Sequence, residues 1–166
     1  QASRQKLSDS IAVNIAKKQT DLIWLPITYY LAIADSGMTD NTAAIQACVD
    51  SVTRSTSKKG VIYIPPGVFA LSGTVHIPVG DQITFQGAGG SVGELSNAIS
   101  KLVTNRTTGD VILDSANNSI FRGFDIQNNA GSPTAGAAIH MVGWFAKIEN
   151  MAIANFYYDI ELDNSL

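Results

Sequence analysis

The 166-residue chain holds a single cysteine, Cys48. No internal disulfide can form, and a cysteine-rich zinc site is excluded. Charged residues are scarce at 15%, and the net charge is −3. Without a basic face to neutralise phosphates, nucleic acid is not an expected partner. No apolar run reaches the roughly 20 residues that cross a bilayer, so membrane insertion is not expected. There are two histidines, His76 and His140, and neither belongs to a ligand-spacing motif. No metal, cofactor or catalytic triad is therefore expected. The glycine-rich run from Gly87 to Lys101 is followed by neither a Lys-Ser/Thr pair nor a clear helix. It reads as a loop between elements rather than a nucleotide loop, of the kind that builds ligand grooves on rigid scaffolds. No secretion signal and no initiator methionine are present, so Gln1 suggests the interior of a longer gene product. Low charge with 14 glycines suits a β-rich, turn-rich solenoid better than a helical bundle.

The stretch from Thr39 to Gly89 organises the rest. It opens T-D-N-T-A-A-I-Q-A-C-V-D-S-V. Thr39 or Asp40 can cap a helix here, because a short side-chain oxygen accepts from the free amides of a first turn. Ala44, Ile45, Cys48, Val49 and Val52 then fall on one face at helical spacing. Cys48 on that face reads as a buried structural thiol. The helix is expected to stop between Thr53 and Ser57, where β-branched and hydroxyl residues accumulate. After Gly60 the period becomes alternating. Val61–Ile64, Val68–Leu71, Thr74–Ile77 and Gln82–Phe85 read as short strands. Pro65-Pro66-Gly67, Ser72-Gly73 and Pro78–Asp81 are the turns between them.

The helix T-D-N-T-A-A-I-Q-A followed by G-V-I-Y-I-P-P-G-V-F-A-L-S-G-T-V-H-I-P resembles the entrance to the pectate-lyase-like superfamily. The resemblance is close from Ile33 to Gly89. It implies a mainly all-β fold, a right-handed parallel β-helix whose helix caps the open first coil. Residues 1–34 are then an N-terminal arm or neck with an opening strand, and residues 35–166 are the capping helix and first coils. Family members usually carry a phenylalanine-glycine-alanine segment before the helix, and here the aromatic-glycine pair is absent.

Residues 1–20 hold a weak helical pattern through Leu7, Ile11, Ile15 and Ala16, either a linker arm or a neck that packs on symmetry mates. Pro26 breaks any helix in the apolar run from Asp21 to Tyr30. Trp24, Tyr29 and Tyr30 are expected to pack in the core. Leu31–Ala34 reads as a short strand. In the second half, the segment from Gly109 aligns with the segment from Gly136. Ile112 then meets Ile139, Phe121 meets Ile148, Phe124 meets Met151, Ile126 meets Ile153 and Asn128 meets Asn155. Matched apolar positions at a coil-sized period are the signature of stacked rungs. Asn128 and Asn155 suit a turn in which Asn bonds the backbone and accepts left-handed geometry, forming a short ladder. Residues 130–135 read as a loop, and Tyr158–Leu162 as the first strand of a further rung. A solenoid that stopped there would expose strand edges.

Polysaccharide cleavage calls for a pair of carboxyl groups, or a base beside a cation. The acids that rungs could bring together are Asp110, Asp114, Asp125, Glu149, Asp159, Glu161 and Asp163. Each is expected to be a solvated surface group. Asp125 alternates outward between Phe124 and Ile126, and its rung partner is Ala152. Trp144 and Phe145 fall at the turn where the preceding rung has Asn117 and Asn118. Trp144 and Asp125 are therefore the candidate carbohydrate contacts, and catalytic groups are expected on later coils or between subunits. The resemblance, with an arm and no secretion signal, implies a homotrimeric bacteriophage tailspike. Such a protein sits in the virion, joins other tail or baseplate proteins through its N-terminal arm, and binds and depolymerises a bacterial surface polysaccharide. The alternatives are a secreted polysaccharide lyase or glycoside hydrolase, and a non-catalytic structural or adhesive β-helix.

Overall fold

The computed structural model describes residues 23–91 and 98–163. The weak helical pattern of residues 1–20 lies outside the described residues. Strand β1 (Ile23–Pro26) and a 3-10 turn (Ile27–Tyr30) lead to helix α1 (Thr42–Thr53). The coils follow as β2 (Lys59–Ile64), β3 (Gly67–Ala70), β4 (Val75–Ile77), β5 (Gln82–Gly87), β6 (Ser100–Thr104), β7 (Ile112–Asp114) and β8 (Ile120–Arg122). Then come β9 (Asp125–Asn128), β10 (Ala137–Met141), β11 (Lys147–Glu149), β12 (Ile153–Ala154) and β13 (Tyr158–Leu162).

Every described strand pairs in parallel, and the strands cycle through three sheets: β1-β2-β5-β8-β11, β3-β6-β9-β12 and β4-β7-β10-β13. This is a parallel β-helix solenoid. The rung alignment read from the sequence is the register observed. Ile139 pairs Ile112, Ile148 pairs Phe121 and Ile153 pairs Ile126. Inward positions stack in columns. Phe85 lies on Phe121 with ring centroids 5.6 Å apart, and Phe124 is 6.4 Å from Phe85. Phe69, Leu102 and Ile126 form a second buried column. Each such side chain contributes about 1.5–3 kcal/mol by leaving water.

Helix α1 closes the first coil with Ile45, Cys48, Val49 and Val52, all buried. Burial pushes the Cys48 thiol up to about 12, so it is an inert thiol. The T-D-N-T motif fastens this cap. Asn41, not Thr39 or Asp40, occupies the N-cap position. Asp40 nevertheless accepts from the Thr42 amide (3.0 Å) and hydroxyl (2.6 Å), and from the Ser72 amide (3.0 Å) and hydroxyl (2.6 Å). Partial burial works against its ionisation. The hydrogen bonds from Ser72 and Thr42 outweigh that and hold its carboxyl at about 2. Thr42 Oγ1 also accepts from the amides of Ser72 and Gly73.

Two readings near the start are corrected. The opening strand is Ile23–Pro26, paired with β2, and not Leu31–Ala34. Leu31 takes a left-handed conformation (φ 66°) at the end of the 3-10 turn, which breaks any strand there. Trp24 and Tyr29 are exposed at 53% and 74%, not core residues. Trp24 stacks on Tyr63 of the neighbouring strand at 5.4 Å, on the outer face of the sheet.

Asp114 is not on the surface. It stands in register between the inward residues Ile77 and Met141 and is fully buried. Its Oδ1 accepts from the Ala116 amide and the Ser119 hydroxyl, both at 3.0 Å, while Oδ2 has no partner. Burial raises its carboxyl above the ordinary value, against the pull of those two bonds. A raised folded value means that stability is fully present below the unfolded value of 3.8 and is lost as pH rises through the folded value. Asp114→Asn is therefore expected to melt above wild type at pH 8, with the gap closing at pH 4. Parallel pH profiles in the two proteins would refute this assignment.

Candidate functional site

The outward column of the β4-β7-β10-β13 sheet reads His76, Leu113, His140, Glu161. Parallel in-register pairing alone puts His140 beside Glu161, since they are Cα partners on β10 and β13. Asp110 arrives from the turn before β7. Its Oδ1 accepts from the Ala137 amide at 2.8 Å, which fixes the carboxylate's orientation. Its Oδ2 lies 2.9 Å from His140 Nδ1. Glu161 Oε2 is 4.0 Å from the same nitrogen. The Asp110 carbonyl is held by Thr74 Oγ1 (2.6 Å) and Arg106 Nη1 (2.7 Å). The three ligand-type atoms of Asp110, His140 and Glu161 lie within 4.8 Å of one another, on side chains of intermediate burial. Such a group can share a proton or hold a cation.

This cluster was missed in the sequence, where Asp110 and Glu161 read as solvated acids and His140 as a lone histidine. Glu161 lies in register with His140 across a shorter coil than the one that aligns β7 with β10, and Asp110 comes from the turn before its strand, so no single spacing announces the three. The signal available was the alignment of Tyr158–Leu162 beneath Ala137–Met141.

Asp125 points away from its strand, as alternation predicts, but it does not reach solvent. It is fully buried. Its carboxylate accepts from the Ser91 amide at 3.0 Å, from the Ser91 hydroxyl and from the Ala152 amide at 2.9 Å. The expectation of a solvated group is corrected: Asp125 anchors the loop after β5. Glu149 pairs with Lys147 at 2.7 Å, and Asp159 and Asp163 are exposed.

Trp144 and Phe145 stand at the turn between β10 and β11, exposed at 60% and 79%. The turn repeats the one below it. Trp144 N–H donates to Asn117 Oδ1 (3.0 Å), and Asn118 N–H donates to the Trp144 carbonyl (2.8 Å). Asn118 and Phe145 are both left-handed, at φ 62° and 61°. Asparagine accepts that conformation readily, whereas a bulky aromatic does so at a cost of roughly 1–2 kcal/mol. The two rings lie 6.4 Å apart and tilted.

The expected asparagine ladder divides its two properties between its members. Asn128 bonds backbone through its side chain, to the Arg106 carbonyl and the Ala130 amide, both at 2.8 Å. Asn155 takes the left-handed conformation, at φ 66°. Beside them opens a cleft of about 460 Å³, lined by Gln127, Asn129, Asn155 and Phe156 among others.

The family described as rhamnogalacturonase A/epimerase, pectate lyase-like, matches residues 24–130. No curated protein matches the chain. Among solved structures, the A-module of the mannuronan C-5 epimerase AlgE6 of Azotobacter vinelandii superposes with a TM-score of 0.64 at 16% identity, over 84% of this chain and 40% of that one. The A-module of AlgE4 from the same organism gives 0.57 at 15% identity, over 82% and 41%. ORF18 of Geobacillus virus E2 gives 0.51 at 15% identity, over 81% and 27%. At these identities the likeness is one of fold. The chain spans about two fifths or less of these structures' lengths.

Proposed function

The chain belongs to the rhamnogalacturonase A/epimerase, pectate lyase-like family, and from that membership we propose that it forms the first coils of a polysaccharide-binding β-helix, in a bacteriophage tailspike. In this reading the assembled protein is a homotrimer in the virion that binds and depolymerises a bacterial surface polysaccharide. The arm before β1 joins other tail proteins. The groups that cleave the glycan lie on later coils or between subunits. Fold likeness to the phage ORF18 agrees with this reading, as it does with other β-helix roles.

The observation that carries the binding role is the Trp144–Phe145 pair. Two large aromatics are held side by side and open to solvent on a rigid turn. Phe145 stays there despite its unfavourable backbone conformation. The C–H face of a pyranose ring is apolar and stacks on an exposed indole, as an aromatic partner would, for roughly 1 kcal/mol. Trp144→Ala is expected to weaken binding to a cognate capsular or O-antigen polysaccharide about fivefold to tenfold. Because Trp144 is a surface residue, the melting temperature should hardly move. Calorimetry across a panel of such polysaccharides, with light scattering for the trimer, tests both halves. Equal affinity in the variant would remove Trp144 from the site. A monomer that still binds would leave the glycan and sink the tailspike.

A further inference from the structure

We propose that Asp110, His140 and Glu161 bind a divalent transition-metal ion, Zn²⁺ or a cation of similar preference, and that this ion clips successive coils together. The inference is independent of the glycan reading above.

The ligand set points to this class of ion. One imidazole with two carboxylates suits zinc and its neighbours, whereas calcium and magnesium favour all-oxygen sites. The geometry is close to what is needed. At metal–ligand distances of about 2.0–2.2 Å, donor atoms in a tetrahedral shell stand roughly 3.4 Å apart. Here the nitrogen stands 2.9 Å from one carboxylate oxygen and 4.0 Å from the other. Side-chain movements of under about 1 Å would equalise these separations.

The placement of the acids favours a cation over a simple histidine–carboxylate bond. His140 Nδ1 faces two carboxylates, at 2.9 Å and 4.0 Å, and one N–H can serve only one of them. A divalent ion serves all three groups and removes the repulsion between the acids. Asp110 also has the supported orientation of a metal ligand, because its other oxygen accepts from the Ala137 amide. Water would complete the shell of such an ion.

The three ligands come from the turn before β7, from β10 and from β13. An ion here would fasten the last described strand to coils nearer the cap. The loop closed between Asp110 and Glu161 is long, which is where a clip restrains an unfolded chain most.

The test is titration of the metal-free chain with ZnCl₂ by calorimetry, with thermal melts at each concentration. One ion per chain is expected, with a melting temperature that rises with free zinc. Glu161→Gln and Asp110→Asn should each weaken binding at least tenfold, and His140→Ala should abolish it. His76→Ala, on the same column but remote from the two acids, should bind as wild type does. X-ray absorption should show one nitrogen and the remainder oxygen. Absence of binding at 100 μM zinc would overturn the proposal. So would unchanged affinity in Glu161→Gln, which is partly exposed and carries little folding risk. Equal losses in His76→Ala and His140→Ala would mark the binding as non-specific and overturn it too.

Discussion

Gly143→Ala is expected to lower the unfolding free energy by about 3 kcal/mol or more, although it adds one methyl group. A Cβ at Gly143 would stand 1.6 Å from the carbonyl oxygen of Ala116 and 2.6 Å from its carbon. Both are backbone atoms of the preceding coil, so no side chain can turn aside. Relief would require the two coils to part, yet they are tied on either side. Val142 N–H donates to the Asp114 carbonyl at 2.8 Å, and Lys147 N–H donates to Ser119 at 2.8 Å. Strand spacing in a sheet is close to 4.8 Å and yields little. Gly131→Ala is the control. A Cβ there meets nothing within 4 Å, and its expected effect is within about 0.5 kcal/mol. Urea unfolding of both variants decides the matter, and equal midpoints would show that the coils are looser than described.

Asn41→Asp should cost about 3–5 kcal/mol at neutral pH, on the scale of an uncompensated buried charge. The side chain is 1% exposed. Its oxygen accepts from the Ile33 amide at 2.7 Å, and its nitrogen donates to the carbonyls of Thr39 (2.8 Å) and Ile33 (3.2 Å). Aspartate has the same shape but turns a negative charge toward those carbonyl oxygens. Asn41→Ala removes the bonds without adding charge, and about 1–3 kcal/mol is expected. The two variants should therefore converge as pH falls and the new carboxyl takes up a proton. Thermal melts at pH 7 and pH 4 separate them. An Asp variant as stable as wild type at pH 7 would mean that solvent reaches the position.

These effects explain which parts of the chain could be read without coordinates. Inward residues repeat because each coil buries its side chains only on its neighbours. Ile112 with Ile139 and Phe121 with Ile148 therefore align in sequence as they do in space. The T-D-N-T helix was legible for a similar reason, since its polar residues have fixed backbone partners in the cap. What lay beyond reach depended on paths between rungs. Asp125 alternates outward as expected, but no periodicity tells that Ser91 folds over it. His140 faces Glu161 through the strand register of a shorter coil, and Asp110 reaches it from the turn before β7, so neither contact carries the period that aligns the rungs. Leu31–Ala34 reads as an apolar strand, yet the left-handed conformation of Leu31 turns the chain instead.

The position of the cap gives the solenoid a direction in time. Helix α1 and β2 precede the later coils in the chain, so a ribosome delivers the closed end first. Each subsequent strand then emerges beside a finished edge with its hydrogen-bonding groups already aligned. Growth of this kind needs one costly closure, at the cap, followed by additions that contact only the preceding coil. The unpaired edge travels forward with synthesis, and at any moment only the newest coil offers itself to a wrong partner.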